Sequence, residues 1–393
     1  MKSFDFYTPT KIFFGKGRHH EIGKIIKDYG FHKILIHYGG GSIKENGTYD
    51  AIRRSVEEQG IEFVEQGGVE PNPKLGMVLE TIELCRRENV EMILAVGGGS
   101  VVDSAKLAAI GIVEDGNPWD FSTKERIPQK AIPVGVVITI AAAGSEMSSS
   151  CVITNEKTLC KRGFDSPLNR PLFAVMNPEL TFTVSKYQTA CGIVDILMHT
   201  LERYFQPDPD ADLTHEIGEA LMRSVIKAGR DVMKDPVDYE ARATLMWAAS
   251  LSHNGLTGAG KTPGLACHQL EHEVSGMFDR VAHGAGLSVI FPAWAKYVYA
   301  SDVMKFCRFA VQTWGCPMDF ENPSRTALEG IERLEHYFKQ DLEMPLTFKD
   351  FEIGEESFDE MAEKCTFYGK RKIPGIRELD KQAILDIFYL AKE

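Results

Sequence analysis

Ionisable side chains at helical spacing occur twice in the second half of the chain. Asp195 and His199 stand four residues apart in the otherwise apolar run GIVDILMHTLERYF, and His268 and His272 stand four apart in CHQLEHEVS, with His283 beyond a loop. Positions i and i+4 share one face of an α-helix. A carboxylate with several imidazoles is a ligand set that suits Fe(II), Zn, Co, Ni or Mn. Any one such histidine is weak support, but the two spaced pairs together predict a divalent-metal site.

A second interpretation of the same residues is a metalloprotease site. The letters HQLEH match the H-x-x-E-H pattern, in which His268 and His272 would bind zinc and Glu271 would act as the base. That interpretation leaves Asp195 and His199 without a role. Outside these groups, His253 is predicted at a helix end. Six further histidines are predicted at the surface or at strand ends: His19, His20, His32, His37, His215 and His336.

Two glycine-rich loops suggest a nucleotide site in the first half. YGGGS (38–42) and VGGGS (96–100) each follow a predicted strand, and the second opens a predicted helix. Glycine allows a ligand to approach the backbone closely, and a helix N-terminus presents N–H groups to anions. Neither loop is a G-x-G-x-x-G, since position 102 is valine. One such loop can be a plain tight turn, but two at neighbouring strand ends favour a bound dinucleotide.

A third glycine-rich segment matches the sequence pattern of a phosphate-binding loop (P-loop). GLTGAGKT (255–262) matches the pattern G-x-x-x-x-G-K-T. A P-loop needs a strand before it and a helix after it. Here the preceding residues, ARATLMWAAS, are helix-like, and Pro263-Gly264 follow at once. A glycine-rich connection between helices is therefore expected instead of an NTPase site.

The elements that position these residues change character near residue 184. Short β-branched runs alternate with helical patterns before it, which is typical of a parallel sheet with helices on its faces. The predicted strands are 32–38, 61–66, 90–97, 131–140 and 172–178, and the predicted helices are 47–60, 74–89 and 100–112. We therefore predict an α/β, Rossmann-like N-terminal domain over residues 1–184.

The second half has the pattern of an all-helical domain, predicted over residues 185–393. Windows such as DLTHEIGEALMRSVIKAGRDVMKD and DYEARATLMWAASLSHNG place apolar residues with a helical period, and no strong strand pattern recurs. The last residues, LDKQAILDIFYLAKE, are predicted to form a closing helix. The predicted metal ligands all belong to this half, and the two GGGS loops belong to the other.

Composition excludes several classes of function. The 393 residues carry a net charge of −12, so a nucleic acid or an anionic membrane is not an expected partner. No stretch of about 18 apolar residues predicts a membrane span, and the first residues, MKSFDFYTPTK, have no signal-peptide core. The eight cysteines are scattered without a C-x-x-C, so they are expected to be reduced thiols of a cytoplasmic protein.

Taken together, these segments resemble the iron-containing (group III) alcohol dehydrogenases, in particular the butanol dehydrogenase branch. The resemblance covers nearly the whole chain, in an ordered set of motifs that is far more specific than any one of them. The motifs are PTKIFFGKG (9–17), YGGGSIKENGTYD (38–50), VEPNP (69–73), VGGGSVVDSAK (96–106), VITNEKT (152–158), GIVDILMHTLE (192–202), CHQLEHEVS and AHGAGLSVIFPAW.

The resemblance implies specific functional residues. One divalent metal, Fe2+ or Zn2+, would be held by Asp195, His199, His268 and His283, while His272 would lie near the nicotinamide without binding the metal. The contacts to the nicotinamide dinucleotide would come from Gly39, Gly40, Gly41, Ser42, Lys44, Asn72, Gly97, Gly98, Gly99, Ser100, Asp103, Thr139 and Lys161.

The implied reaction interconverts primary alcohols and aldehydes in a cleft between the two domains. The metal would polarise the substrate oxygen, hydride would pass to or from NAD(P), and His272 would relay a proton or act only as a neighbouring hydrogen-bond donor. Two alternatives remain open at this point. One is a family member that acts on another polyol such as glycerol, or that resembles dehydroquinate synthase; the other is a catalytically silent nucleotide-binding protein.

The loop after the first predicted strand predicts coenzyme preference. In doubly wound folds an acidic residue at this position binds the ribose diol and repels a 2′-phosphate. Here Gly39, Gly40 and Gly41 leave space, Ser42 and Lys44 are suited to a phosphate, and the first acid is Glu45. NADP(H) is therefore predicted to be preferred, with NAD(H) also accepted.

Assembly is predicted from the N-terminal segment. YTPTKIFFGKG has the apolar pattern of an edge strand without an evident partner. Exposed strand edges favour pairing with another chain, and the resemblance implies such pairing across a dimer. A homodimer is therefore expected.

Two departures from the family pattern bear on the site. The segment TIAAAGSE (139–146) has Ile140 and Ala143 where relatives carry hydroxyls, so polar contacts to the coenzyme are expected to be lost there. His272 and His283 are eleven apart, one more than the resemblance implies, with Arg280 as the extra residue. The loop before His283 is therefore expected to bulge.

Overall fold

The structure is a computed structural model that describes residues 1–208 and 211–393. Its backbone contacts divide the chain into two compact units, and the main break between them falls between Val184 and Ser185, where the sequence pattern changes. The α/β unit comprises Tyr7–Val184 and Ala249–Asn254. The helical unit comprises Met1–Phe6, Ser185–Ala248 and Gly255–Glu393. Two short segments, 1–6 and 249–254, thus belong to a different unit from their sequence neighbours.

A six-stranded parallel sheet organises the α/β unit. The strands of the unit are β1 (Lys11–Phe14), β2 (Lys33–Gly39), β3 (Glu62–Val69), β4 (Met92–Gly97), β5 (Val134–Ile138), β6 (Ser150–Asn155), β7 (Cys160–Asp165) and β8 (Phe173–Met176). Its α-helices are α1 (Ile22–Asp28), α2 (Ser42–Glu45), α3 (Thr48–Glu58), α4 (Leu75–Glu88), α5 (Gly99–Val113) and α6 (Trp119–Ser122).

The sheet order is β1-β8-β5-β4-β2-β3, with all neighbours parallel. From β2 the chain first adds β3 on one side and then returns to place β4 on the other side of β2. The order therefore reverses between β2 and β4, which makes their carboxyl ends the topological switch point where doubly wound folds bind ligands. Both GGGS loops begin at these two strand ends.

Burial on both faces explains the nearly continuous apolar strands. Successive side chains of a strand point to opposite faces. Ile34 and Ile36 of β2 join a core with Ile25 of α1 and Ile52 of α3. His37, the residue after Ile36, points to the other face and contacts Ser104 of α5. A parallel sheet covered on both faces selects for this continuous pattern.

The remaining two strands of the α/β unit form an antiparallel hairpin that the sequence patterns did not predict. β6 and β7 pair from Ser150↔Asp165 to Asn155↔Cys160. Polar residues occupy much of both strands, so neither has the apolar run of a sheet core. A parallel bridge between Lys74 and Thr154 links the hairpin to the chain just before α4. The hairpin thereby brings residue 161 close to the segment after β3.

The second unit is built from helices. They are α7 (Lys186–Tyr204), α8 (Asp212–Lys234), α9 (Tyr239–His253), α10 (Ala266–Met277), α11 (His283–Val298), α12 (Val303–Trp314), α13 (Pro323–His336), α14 (Phe358–Cys365) and α15 (Lys381–Leu390), of which α9 ends in residues that group with the α/β unit. Within the described part of the chain, none of the helices has the length and hydropathy of a membrane span.

Helix α7 carries the first predicted ligand pair and is nearly all buried. The Ser185 hydroxyl accepts a hydrogen bond from Gln188 N (3.2 Å) and caps its start. The apolar residues around Asp195 and His199, including Ile196 and Met198, are fully buried. A helix that is apolar on all sides lies in a core, so the two polar side chains are held rigidly inside it.

The P-loop match has a structural explanation. GLTGAGKT follows helix α9, not a strand, and begins with a short 3₁₀ turn at Leu256–Gly258. The Lys261 side chain is buried, with its ammonium 5.3 Å from the centre of the Tyr204 ring. The chain terminus also packs here, since Lys2 N donates to Gly260 O (2.9 Å). The segment is the predicted helix connection.

Candidate functional site

The predicted metal ligands converge on one carboxylate oxygen. Asp195 Oδ1 lies 3.3 Å from His199 Nδ1, 3.4 Å from His268 Nε2 and 3.8 Å from His283 Nε2. Asp195 and His199 come from α7, His268 from α10, and His283 is the first residue of α11. Three helices, α7, α10 and α11, thus bring together residues that are up to 88 positions apart in the sequence.

The cluster has the electrostatic character of a cation site. Asp195 Oδ1 and His268 Nε2 are both buried, and neither has a hydrogen-bond partner among the described residues. A buried polar atom without a partner is costly, and a metal ion would satisfy both atoms. Burial lowers the pKa of His268, but the carboxylates of Glu202 and Asp195 outweigh that effect and raise it to about 9. The site therefore favours positive charge, and its donor atoms fit a divalent metal.

The longer loop before His283 does not separate it from the cluster. Helix α10 ends at Met277 and α11 begins at His283. Val281 is fully buried, while Arg280, the extra residue, is exposed and donates to Phe351 O (2.8 Å). Arg280 lies on the exposed side of the loop, and the His283 ring remains 5.2 Å from the His268 ring, centre to centre.

His272 lies beside the cluster. Its ring centre is 6.5 Å from that of His268 and 5.6 Å from that of His283. With Glu271 and His283 it forms a second group in which one candidate ligand atom from each residue lies within 4.8 Å of the others. His272 is only half-buried, whereas Asp195, His199 and His268 are buried. Its position suits a group that faces a ligand more than one that closes the metal site.

In the α/β unit the two glycine loops meet at the switch point. An added Cβ at Gly39 would lie 3.3 Å from Val69 O and 3.7 Å from Val101, and one at Gly97 would lie 2.5 Å from the same valine. The loop after β2 and the start of α5 are therefore packed together through Val101, with no room for side chains at these glycines. Helix α5 begins at Gly99, so its first N–H groups, including that of Ser100, are available to an anion at this edge.

Asn72 and Lys161 form a buried hydrogen-bonded pair next to the carboxyl end of β3. Lys161 Nζ donates to Asn72 Oδ1 (2.9 Å), and both residues are buried. Asn72 follows β3 with a left-handed backbone (φ 54°), while Lys161 belongs to the β6–β7 hairpin. The structure thus places together two predicted coenzyme residues that are 89 positions apart.

Asp103 has a different environment from the glycines. Its carboxylate accepts from Ser145 Oγ (2.5 Å) and Val152 N (2.9 Å). The buried Lys106 ammonium also donates to Ser145 Oγ (2.7 Å) and to Ser150 O (2.7 Å). Both carboxylate oxygens of Asp103 are therefore engaged in fixing the segment 145–152 to α5.

The TIAAAGSE segment follows β5 at the same edge, and Thr139 N donates to Gly97 O (3.1 Å). Ile140 packs against the glycine loop, since an added Cβ at Gly98 would lie 2.5 Å from its Cγ2. The backbone at Ala143 accepts a hydrogen bond from His253 Nδ1 (2.9 Å). Ile140 thus contributes apolar packing at this position, while the contact at Ala143 is made by its backbone and does not depend on its side chain.

Ser42 and Lys44 lie at the exposed end of the first loop. Ser42 begins the one-turn helix α2, and Lys44 Nζ lies 4.8 Å from the centre of the Tyr38 ring and 4.7 Å from that of Tyr49. The nearest acid is Glu65 of β3, whose carboxylate is 3.9 Å from Lys44 Nζ. This ion pair is close to half-exposed on both sides, so it is weak.

Two glutamates of the site were missed by the sequence interpretation. Glu202 contacts His268 Nδ1, and Glu271 contacts His283 Nδ1. Glu271 was considered only as the base of a metalloprotease, and its carboxylate instead holds a histidine of the cluster. The sequence does contain a pattern that could have indicated them. Glu202 and Glu271 each stand three residues after a predicted ligand, in HTLE and HQLE.

Comparisons with known proteins identify the family of the chain. Residues 9–178 match the family of iron-containing alcohol dehydrogenases, and residues 189–391 match the C-terminal region of the same family. The chain is 41% identical over 389 residues to NADH-dependent butanol dehydrogenase A of Clostridium acetobutylicum, covering 99% of each protein. It is 33% identical over 376 residues to the NADPH-dependent aldehyde reductase YqhD of Escherichia coli, covering 95% of each.

A solved structure gives the same result. The crystal structure of NADH-dependent butanol dehydrogenase A from Thermotoga maritima superposes with a TM-score of 0.96 at 40% identity, over 100% of this chain and 99% of that one. The predicted fold class, a parallel-sheet α/β domain with an all-helical domain, is confirmed. The chain belongs to the iron-containing alcohol dehydrogenase family, in its butanol dehydrogenase-like branch, and is an NAD(P)-dependent alcohol dehydrogenase and aldehyde reductase.

Proposed function

We propose that the protein interconverts primary alcohols of the size of butanol and their aldehydes, with one divalent metal, Fe2+ or Zn2+, held by Asp195, His199, His268 and His283. The observation that carries this proposal is the convergence of three imidazole nitrogens within 3.8 Å of Asp195 Oδ1. That oxygen is buried and has no hydrogen-bond partner among the described residues. Relatives named butanol dehydrogenase support the choice of substrate class.

Each part of the chain has a defined task in this proposal. A metal bound by the four ligands supplies Lewis acidity toward the substrate oxygen, and NAD(P) supplies or accepts the hydride. The helical unit keeps the ligand side chains fixed, because α7 is buried on all sides. The α/β unit binds the dinucleotide at the carboxyl ends of β2, β4 and β5 through the two GGGS loops, Thr139, and the Asn72–Lys161 pair. Asp103 positions the segment that follows Thr139.

The test is reconstitution. Protein purified without oxygen is stripped of metal, loaded with Fe2+ or Zn2+, and assayed by nicotinamide absorbance with butanal and with glycerol. We expect one metal ion per chain, with activity on butanal restored by metal and far lower activity on glycerol. Activity on glycerol that exceeds the activity on butanal would favour a polyol dehydrogenase, and activity without any metal would contradict the proposal.

His272 is proposed to relay the alcohol proton. It is half-buried beside the cluster, with its ring 5.6 Å from that of His283. Substitution His272→Gln should lower kcat by about 100-fold, within the range for loss of a general acid or base, while leaving one metal per chain. Metal analysis and the pH dependence of kcat check both parts. A kcat within threefold of the wild-type value would make His272 a neighbouring hydrogen-bond donor only.

NADP(H) is proposed to be the preferred coenzyme, with NAD(H) also used. No acid occurs from Gly39 to Lys44. Gly40 is exposed, and an added Cβ there would meet nothing within 4 Å. Ser42 and Lys44 can face a 2′-phosphate in that space. The Lys44–Glu65 pair is exposed and therefore weak, so a phosphate dianion can compete for the ammonium.

Gly40 is the position at which this preference can be reversed. Gly39 is a poorer choice because its Cβ would crowd Val69 O, and Gly41 has a left-handed φ of 120°. Gly40→Asp is expected to lower kcat/KM for NADPH by about tenfold, roughly the effect of 1.4 kcal/mol of repulsion, with a smaller change for NADH. Gly40→Asn is the matched uncharged control and should change the ratio little. A wild-type preference for NADH, or equal effects of Asp and Asn, would contradict the proposal.

A homodimer is proposed through the β1 edge. β1 is the end strand of the sheet and pairs with β8 on its inner side. Apolar side chains near it are exposed, including Tyr7 (61%) and Phe14 (37%). Exposed edges of this kind are usually covered. Light scattering should give twice the chain mass of 43.8 kDa, and a monomer mass at assay concentration would end the proposal.

The proposed partners are therefore a small alcohol or aldehyde and a second copy of the chain, with no nucleic acid or membrane. The net charge of −12 supports the exclusion of polyanions. Seven of the eight cysteines are buried thiols. We propose a cytoplasmic location, which predicts eight titratable thiols after denaturation without reductant.

A further inference from the structure

A His-x-x-Glu pattern occurs twice and links three helices in series. On α7 the pattern is His199-Thr-Leu-Glu202, and on α10 it is His268-Gln-Leu-Glu271. In each case the glutamate lies one turn after a metal ligand of its own helix. It contacts the ligand supplied by the next ligand-bearing helix: Glu202 of α7 contacts His268 of α10, and Glu271 of α10 contacts His283 of α11.

Glu202 accepts three hydrogen bonds from the start of α10. Its carboxylate accepts from Nδ1 of the His268 ring, from His268 N (3.2 Å) and from Cys267 N (2.5 Å). The last two are N–H groups in the first turn of α10, where a carboxylate is favoured. The Glu202 side chain is 1% exposed. The same carboxylate therefore fixes both the start of α10 and the orientation of the ring that α10 carries.

Glu271 holds His283 in a comparable way. Its carboxylate accepts from His283 Nδ1, and its side chain is fully buried although the imidazole is 24% exposed. Gly286, one turn into α11, leaves the space for it, since an added Cβ there would lie 2.7 Å from Glu271 Cγ. His283 follows the loop that is one residue longer than expected, so this contact gives the ring a fixed position that the loop alone does not supply.

A carboxylate can only accept, so in both pairs Nδ1 must carry the proton. A histidine that binds a metal must be neutral, so in the metal-bound site Nε2 is the lone-pair atom. In both residues Nε2 is the atom that faces Asp195, at 3.4 Å for His268 and 3.8 Å for His283. A hydrogen bond to a carboxylate also increases the basicity of an imidazole ligand. Both effects strengthen binding of a metal at Nε2.

We propose that Glu202 and Glu271 are positioning residues that set the metal affinity of the site by fixing the tautomer and the orientation of His268 and His283. The inference rests on the proposed ligand set. In this proposal neither glutamate contacts the metal or the substrate. Loss of either should weaken metal binding by about 10- to 100-fold, the usual cost of losing such a partner.

The test compares Glu202→Gln, Glu271→Gln and Glu219→Gln in the full-length protein. Glutamine keeps the size of the side chain but removes the negative charge of the carboxylate that accepts the hydrogen bond from Nδ1–H. Glu219 is the matched control, because it is a buried carboxylate of the same unit that bonds Tyr204 (2.9 Å) and Arg308 (2.6 Å). Metal-free protein is titrated with Co2+ against a chelator, and the visible absorption of the Co2+ form reports ligand geometry without any turnover.

Wild type and Glu219→Gln should bind Co2+ with the same Kd and spectrum. Glu202→Gln and Glu271→Gln should bind at least about tenfold more weakly, with altered absorption bands. If Glu202→Gln fails to fold because the start of α10 is lost, Glu271→Gln still decides the matter. A Kd and spectrum equal to wild type in the folded glutamate variants would overturn the inference. Absence of Co2+ binding by the wild type would refute the ligand set itself, and with it this inference.

Discussion

Replacing His199 by alanine is expected to remove most of the bound metal and nearly all activity while the protein remains folded. His199 is 3% exposed and lies 3.3 Å from Asp195 in the most buried part of the cluster. Water has little access there to replace the missing imidazole. Loss of an outer partner already costs 10- to 100-fold in affinity, so loss of a ligand should cost more than about 100-fold. Metal analysis of the purified variant checks the loss of metal, and circular dichroism checks that the protein remains folded.

Two further variants sharpen this result. His215→Ala is the matched control, since it also removes a buried imidazole from the helical unit, one that packs against the Tyr204 ring 4.9 Å away. It should retain its metal. His283→Ala should retain more metal than His199→Ala, because His283 is 24% exposed and water can take its place. Full metal content in His199→Ala would refute the assignment, and equal losses in His199→Ala and His283→Ala would show that exposure at 283 is immaterial.

The sequence predicted best where a residue pattern has one physical meaning. The continuous apolar runs of β2, β4 and β5 are buried on both faces, so their positions and their parallel arrangement followed from the alternation with helices. The β6–β7 hairpin was missed because β7, CKRGFD, has no apolar run. It is also bridged to the chain before α4, through Lys74 and Thr154. No local pattern records such a contact.

In predicting the site, the helical spacing of residue pairs was informative, whereas the type of a single residue was not. Asp195, His199 and His268 were identified as a group because the i, i+4 pairs lie on apolar helices. His19 and His215 were predicted at the surface or at strand ends, and that prediction was wrong, since both are buried and lie in helical segments. His37 does lie in the last part of β2, but it is fully buried. Burial lowers the pKa of His37 to about 4, and its Nε2 lies 3.0 Å from Ser104 Oγ. A neutral imidazole can occupy a core position that sequence alone assigns to a strand end.

Close packing of α11 on α7 is as necessary to the cluster as its ligands. Gly284 follows His283, and an added Cβ there would lie 2.6 Å from the carbonyl carbon of Cys191. Cys191 stands one turn before Asp195 on α7. Because the obstacle is backbone, it cannot rotate away, and the two helices would have to separate. The absence of a side chain at 284 therefore allows His283 to approach Asp195.

Gly284→Ala is accordingly expected to lower both stability and metal affinity. Overpacking of this kind costs about 1–3 kcal/mol, against a gain of up to about 1 kcal/mol from replacing glycine by alanine in a helix. Gly218→Ala is the matched control: it lies within α8, and its Cβ would meet Thr200 at 3.4 Å, an ordinary contact. Calorimetry should show a lower Tm for Gly284→Ala and an unchanged or higher Tm for Gly218→Ala. Titration with Co2+ should show weaker binding in the first variant alone. If Gly284→Ala kept both its Tm and its Co2+ affinity, the approach of α11 to α7 would not be what places His283 at the metal.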